Sequence, residues 1–266
     1  MFDNEPELAN NVLCLDVHNT CFSTSFFQGI KLIVSVRGSF DCVVDDLPLR
    51  GVSGVLLNRN IDHTVSTPDA SLLIYYINYH NPLSATLHHQ LANRNWIDIT
   101  ERIDALPIAP PSGACAPEWP DQTSSHFAAN VLTMLFPGLG QLEMLQDRAL
   151  KLIRFVNEHV HQPLSLTHVA DLLSLSVERA RHVFEEQMAM SFSQYVLWMR
   201  LRLVIEKSLQ QRQPLFRTAL EYGFTDQSHF NRVFKRTFGT QPRHLLTTKG
   251  TNRVLLLSDL PTQAVA

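Results

Sequence analysis

The apolar positions of this chain change period once along its length. Up to Tyr79 they come in short runs: Val12 to Val17, Ile30 to Val36, Phe40 to Val44, Val55 to Leu57 and Leu72 to Tyr79. Gly38-Ser39, Asp45-Asp46, Gly51, Ser53-Gly54 and Pro68-Asp69 separate them. Short runs of Val, Ile, Leu and Phe at close spacing, bounded by turn residues, predict the strands of a sandwich or small barrel. From Leu83 onward the period is helical. Leu83, Leu87 and Leu91 lie four apart, Phe127 to Phe136 reads as an apolar helix, and Gln141 to His161 carries Leu145, Ala149, Leu152, Ile153 and Val156 on one side. Between these helices Pro107 to Pro120 holds five prolines in 14 residues, which predicts an extended loop.

Beyond His161 the helical pattern is duplicated. Leu166 to Leu173 is a short helix with apolar Leu166, Val169, Ala170 and Leu173. Ser174-Leu175-Ser176 is its turn, and Ser176 can cap a second helix, VERARHVFEEQM. That helix turns Ala180, Val183 and Phe184 inward and Glu178, His182 and Glu185 outward, flanked by Arg179, Arg181 and Glu186. A long helix from Phe192 to Leu209 follows, then another short one from Leu215 to Tyr222. Gly223 supplies a residue able to adopt positive φ, Phe224 plugs the turn, and Thr225 or Asp226 caps a helix ending at Gly239. Phe230, Val233, Phe234 and Thr237 form its back; Ser228, Arg232 and Lys235 form its front, with His229 and Arg236 beside them. An apolar back and a cationic front suit a DNA major groove, although an ordinary surface helix pair looks similar over this stretch alone.

Charge divides the chain at the same place. Residues 1–144 carry 6 basic and 15 acidic side chains, a net of −9, whereas residues 145–249 carry 15 and 9, a net of +6. Only the second half has the charge that a phosphate backbone attracts. Composition, 45% apolar and 18% charged, describes a globular chain rather than a disordered one. The acidic, polar start MFDNEPELAN is unlike a secretory signal, and no apolar stretch approaches 18 residues, so a cytoplasmic location without a membrane span is expected. Cys14, Cys21, Cys42 and Cys115 form no Cys-x-x-Cys pair and are expected as reduced, mostly buried thiols. His88 and His89, adjacent on a helix, point in different directions and are expected to be solvated.

The residues of the second half resemble a known family. Leu172-Leu173-x-Leu-Ser176, Val183-Phe184, Ser193-x-Tyr195, Arg200-Leu201, Ala219, Gly223-Phe224-x-Asp226, Phe230-x-Arg232-x-Phe234-Lys235, Phe238-Gly239 and Pro242 stand in the order and spacing of the DNA-binding domain of AraC/XylS transcription regulators. The resemblance implies an α+β protein with three parts. Residues 1–140 are expected to form a cupin-like β-barrel or jelly-roll with helices, serving as a regulatory and dimerisation domain. Residues 145–249 are expected to form an all-α DNA-binding domain, two helix-turn-helix motifs joined by a long helix. Residues 250–266 form a tail, in which apolar Val254 to Leu257 either docks or frays.

The resemblance also implies a sequence-specific regulator, an activator, that works as a homodimer on double-stranded promoter DNA with RNA polymerase as partner. The second helix of each pair enters one of two successive major grooves. The positions this places on DNA are Glu178, Arg179, Arg181 and His182 in the first unit and Gln227, Ser228, His229 and Arg232 in the second. Lys235 and Arg236 would meet phosphates. The first unit departs from the pattern: Glu185-Glu186 stands where basic residues are usual, and Ala189 replaces a common glycine. Those carboxylates either weaken DNA binding or face a protein.

Control through the first half is open between a small-molecule effector, a protein partner and a filled barrel that only folds or dimerises. A cupin enzyme fused to a DNA-binding domain is a further alternative. It meets a poor donor set, because cupin metal sites use His-x-His and His63 has no second histidine two residues away. Catalytic residues, metals and cofactors are therefore not expected.

Overall fold

The computed structural model describes residues 12–23, 26–67, 69–79, 81–108, 121–137, 147–211, 213–245 and 252–257. Most of the proline-rich loop, Cys115 and residues 141–146 of the expected long helix lie outside these. The described chain divides into two compact units, one of residues 147–234 and one of residues 12–137 with 235–257.

The second of these is built on two antiparallel sheets. Its strands are β1 (Val12–His18), β2 (Cys21–Phe22), β3 (Ile30–Arg37), β4 (Phe40–Val44), β5 (Leu47–Val52), β6 (Gly54–Leu57), β7 (His63–Ser66), β8 (Ser71–Ile77), β9 (Trp96–Asp98) and β10 (Arg253–Leu257). Six pair in the order β10-β1-β8-β3-β6-β9, and four in the order β2-β7-β4-β5. Strands β6 and β8 read as near-continuous apolar runs because both of their faces are buried, and β1 and β3 do so apart from the buried polar residues Asp16, Lys31 and Ser35. One face, with Cys14, Leu32, Val34, Leu56, Leu73, Tyr75 and Ile77, packs against three helices: α1 (Pro82–Leu91), α2 (Thr100–Asp104) and α3 (Asp121–Leu135). The Tyr75 hydroxyl donates to the Ala128 carbonyl at 2.8 Å and fastens α3 to the sheet. Gly54 lets α2 approach, since a Cβ there would lie 2.0 Å from the Ile103 Cδ1.

The opposite face carries a buried polar pair. Lys31 Nζ lies 2.9 Å from His63 Nε2, with the amine 4.9 Å from the centre of the Tyr76 ring. Burial pulls the Lys31 amine down to about 7. Burial first, and the Lys31 charge second, pull His63 down to about 3, and its Nδ1 meets the Ile61 carbonyl at 2.8 Å. His63, the sole candidate for cupin-type metal binding in the sequence, thus has both ring nitrogens engaged by protein atoms. His88 also differs from expectation: it is half-buried, edge-on to Tyr79 at 5.0 Å, and burial lowers its pKa. The apolar side of α3 is spent on the sheet, with Ala128, Val131, Leu132 and Leu135 buried. Cys14 and Cys42 are buried free thiols, as expected, and Cys21 is exposed.

The chain's last described segment does not fray. β10 pairs antiparallel with β1, Val12 opposite Leu257 and Asp16 opposite Arg253. Asn252 secures it, its Oδ1 accepting from the His18 N–H at 2.8 Å and its Nδ2 donating to the His244 carbonyl at 3.0 Å.

The helical unit comprises α4 (Asp147–His159), α5 (Leu166–Leu173), α6 (Val177–Met188), α7 (Phe192–Gln211), α8 (Leu215–Glu221) and the greater part of α9 (Gln227–Phe238); α10 (Pro242–Leu245) follows in the β-rich unit. Ala149, Leu152, Ile153 and Val156 of α4 are buried, so its apolar side is also used within the chain. Helix α9 crosses the division between Phe234 and Lys235. Its last turn belongs to the β-rich unit, where Phe238 meets Tyr76 edge-on at 5.0 Å and the Ser23 N–H and hydroxyl both donate to the Gly239 carbonyl.

Candidate nucleic-acid interface

Each helix pair is set by its turn. In the first, Ser165 precedes α5 and its N–H meets His168 Nδ1 at 3.1 Å, a histidine in the place of the usual capping-box Glu or Gln. Helix α5 ends at Ser174 in the left-handed region, φ 54°, and the Leu175 N–H returns to the Ala170 carbonyl at 2.9 Å. The Ser176 hydroxyl then accepts from the Arg179 N–H and starts α6. In the second pair Gly223 takes φ 83°, and the Phe224 N–H returns to the Ala219 carbonyl at 3.0 Å. Of the two candidate caps, Asp226 is the one used: its Oδ1 accepts from the His229 N–H at 2.8 Å while the Thr225 hydroxyl donates to Oδ2. Those bonds hold the Asp226 carboxyl below the usual carboxylate range, His229 foremost and the Arg232 charge least among the causes.

Helix α7 joins the pairs. Arg200, near its middle, donates Nε to the Val160 carbonyl at 3.0 Å, Nη2 to Gln162 at 2.8 Å and Nη1 to Gly223 at 3.2 Å. The guanidinium lies so close that a Cβ on residue 223 would meet its Cζ at 2.9 Å. Gly223 therefore serves both its own positive φ and the passage of Arg200.

The two second helices present different fronts. On α9 Gln227, Ser228, Arg232, Lys235 and Arg236 are exposed above buried Phe230, Phe234 and Phe238. His229 is only half-exposed; its Nδ1 lies 3.2 Å from the Thr225 hydroxyl and its ring 5.3 Å from Phe224, so it also braces the turn. Arg236 lies over the Phe26 ring at 4.9 Å, and its carbonyl accepts from the Phe26 N–H at 2.7 Å. On α6 Glu178, Arg179 and His182 are exposed and Arg181 is half-exposed. Arg181 is bound on both sides: Nη2 to Glu178 Oε1 at 2.6 Å, Nε to Glu178 Oε2 at 3.3 Å and Nη1 to Glu185 Oε2 at 3.2 Å. His182 Nε2 lies 3.1 Å from the same Glu178 Oε1. Hydrogen bonding and charge from Arg181 hold Glu178 below its usual pKa, so it is an anion at neutral pH. The partnership of Arg181 with Glu178 and Glu185 went unread in the sequence, though their i,i+3 and i,i+4 spacing is a usable signal. Ser23, Phe26 and Tyr76 left no comparable signal, because their contacts to residues 236–239 span most of the chain.

Several known proteins are similar to this chain. A family profile described as a helix-turn-helix domain matches residues 169–248. The chain is 23% identical over 221 residues to the probable transcriptional regulator LumQ of Photobacterium leiognathi, covering 80% of this chain and 87% of that protein. It is 31% identical over 107 residues to the regulatory protein SoxS of Escherichia coli, covering 39% of this chain and 96% of SoxS. Among solved structures, fatty-acid-bound ToxT of Vibrio cholerae superposes with a TM-score of 0.49 at 17% identity, over 87% of this chain and 92% of that one. No helix among the described residues is long and apolar enough to cross a membrane. With SoxS matched over nearly its whole length, and the helix-turn-helix profile spanning both turns, the chain belongs to the AraC/XylS family of DNA-binding transcription regulators.

Proposed function

We propose that the protein is a homodimeric activator at promoter DNA in the cytoplasm, contacting RNA polymerase, with residues 145–249 as its DNA-binding part and residues 1–140 as a cupin-like controlling domain. The front of α9 carries the reading of DNA: it holds Arg232, Lys235 and Arg236 and no acidic residue, above a buried phenylalanine back. Gln227, Ser228 and Arg232 read base edges, with Arg232 suited to guanine O6 and N7. Lys235 and Arg236 meet phosphates, and His229 supports the first turn at the groove. Glu178, Arg179, Arg181 and His182 meet the preceding groove.

The interior of the β-rich unit supports control by a small-molecule effector. Lys31, His63 and Tyr76 place a buried amine beside an imidazole and a ring, a setting in which an anionic group would keep the amine charged. Selection of full-length protein on randomised double-stranded DNA tests the main reading. One site should be enriched, with the logarithm of its affinity falling linearly against the logarithm of salt concentration. Sedimentation with and without that DNA should show a dimer. Failure to enrich any sequence would remove DNA reading, and a monomer under both conditions would remove the homodimer.

A further inference from the structure

We infer that Glu178 reads a cytosine amino group in the groove entered by α6, and that Arg181, instead of reading a base, is the positioning residue that aims and neutralises it. The inference rests on the reading that α6 enters a major groove. An arginine on a DNA-reading helix ordinarily offers its fork to guanine O6 and N7. Here that fork is filled: Nε and Nη2 bond the two oxygens of Glu178, and Nη1 bonds Glu185. To grip guanine, Arg181 would have to leave both carboxylates and expose them to the phosphates.

Glu178 is the better placed of the two. It is the second residue of α6, and its side chain is 70% exposed, against 41% for Arg181. Each carboxylate oxygen has two lone pairs; Oε1 meets both Arg181 and His182, whereas Oε2 meets Arg181 alone and keeps a lone pair for a base. An ionised carboxylate only accepts hydrogen bonds. Of the base edges in the major groove, guanine shows acceptors alone and thymine an acceptor and a methyl group. Adenine offers N6 but sets the N7 acceptor beside it, which repels the carboxylate. Cytosine offers N4 as its hydrogen-bonding group there and is the matching edge. Arg181, between Glu178 and Glu185, cancels one of the two negative charges and reduces their repulsion by DNA phosphates.

Since every cytosine faces a guanine, the motif bound by the natural protein does not tell glutamate reading cytosine from arginine reading guanine. Variants do. Full-length protein, Glu178→Gln, Glu178→Ala and Arg181→Ala would each be selected on randomised DNA, with Arg232→Ala as the marker for the second groove. The natural protein should favour C at one position by about tenfold. Glu178→Gln should move that position to A, whose N6 and N7 fit a carboxamide. Glu178→Ala should abolish the preference there and leave the α9 half of the motif unchanged. Arg181→Ala should shrink the C preference without altering any other position. Overturning results are an Arg181→Ala variant that alone loses the C·G pair while Glu178→Gln keeps it, or no change of base in any Glu178 variant. If the natural protein enriches no sequence, the reading of DNA itself fails; if an Arg232-dependent half-motif persists but Glu178 is silent, only this inference does.

Discussion

Helices α6 and α9 hold the same place in two copies of one motif, and comparing them position by position separates what packing demands from what it leaves free. Both have 12 residues. The fourth, seventh, eighth and twelfth are Ala180, Val183, Phe184 and Met188 in α6, and Phe230, Val233, Phe234 and Phe238 in α9. Seven of these eight are buried and Val233 is half-buried, so the backs are alike. The fronts are opposed. Glu178 stands against Ser228, His182 against Arg232, and Glu185-Glu186 against Lys235-Arg236. A back has to fill a cavity of given shape, which allows few choices. A front has only to suit its ligand, and if the two helices enter DNA as proposed, the change of sign between their fronts predicts that the two grooves are read by different chemistry.

The largest effects should leave the comparison intact. Phe184→Ala and Phe234→Ala, both in fully buried sites, should each destabilise the fold by about 3–5 kcal/mol in urea titrations. A marked inequality between them would break the claim that the backs are equivalent. The fronts should differ at the next level down. Arg232→Ala should cost about 1–3 kcal/mol of DNA affinity and relax one base pair, whereas Arg236→Ala should weaken all sequences alike and make the salt dependence shallower by about one unit. An Arg232→Ala loss without any change of base preference would show that Arg232 is not a base reader.

The smallest contrast lies where the helices end. Ala189 closes α6 at φ 54° and Gly239 follows α9 at φ 74°, both in the left-handed region. An alanine there is strained by about 1 kcal/mol, so Ala189→Gly should raise the melting temperature and Gly239→Ala should lower it. Equal and opposite shifts would extend the equivalence of the two copies to their exits; a silent Ala189→Gly would show relaxation elsewhere at that end.

What could be read from the sequence was what is local. The bounds of α5 and α6, the cap at Ser176 and the positive φ at Gly223 follow from hydropathy period and turn chemistry within a few residues. Strands with both faces buried were visible because few polar residues, such as Asp16 and Lys31, interrupt their apolar runs. Strand β5, Leu47-Pro48-Leu49-Arg50-Gly51-Val52, was hidden by its proline, its glycine and its exposure at a sheet edge. β7 is only four residues, with His63 at a buried position that suggests a loop. The end of the chain read equally as docked or frayed, since its partner β1 lies more than two hundred residues away. At the interface, exposure of the α9 front followed from its period. The bond that occupies Arg181 did not, because a spacing permits an ion pair without requiring it.

Arg200 has a mechanical consequence. At about 1.5 Å per residue the 20 residues of α7 span about 30 Å, close to the 34 Å of one turn of DNA. Three backbone carbonyls, two from the loop after α4 and one from the turn after α8, converge on the one guanidinium in its middle. With both second helices in DNA as proposed, the protein would be a stiff gauge laid against a more compliant rod. Whatever length separates the gauge from the rod's pitch would be taken up by curvature in the DNA, whose bending by tens of degrees costs on the order of a few kcal/mol depending on its sequence. Base pairs that no side chain touches would then count in the affinity of a site, through how readily they bend.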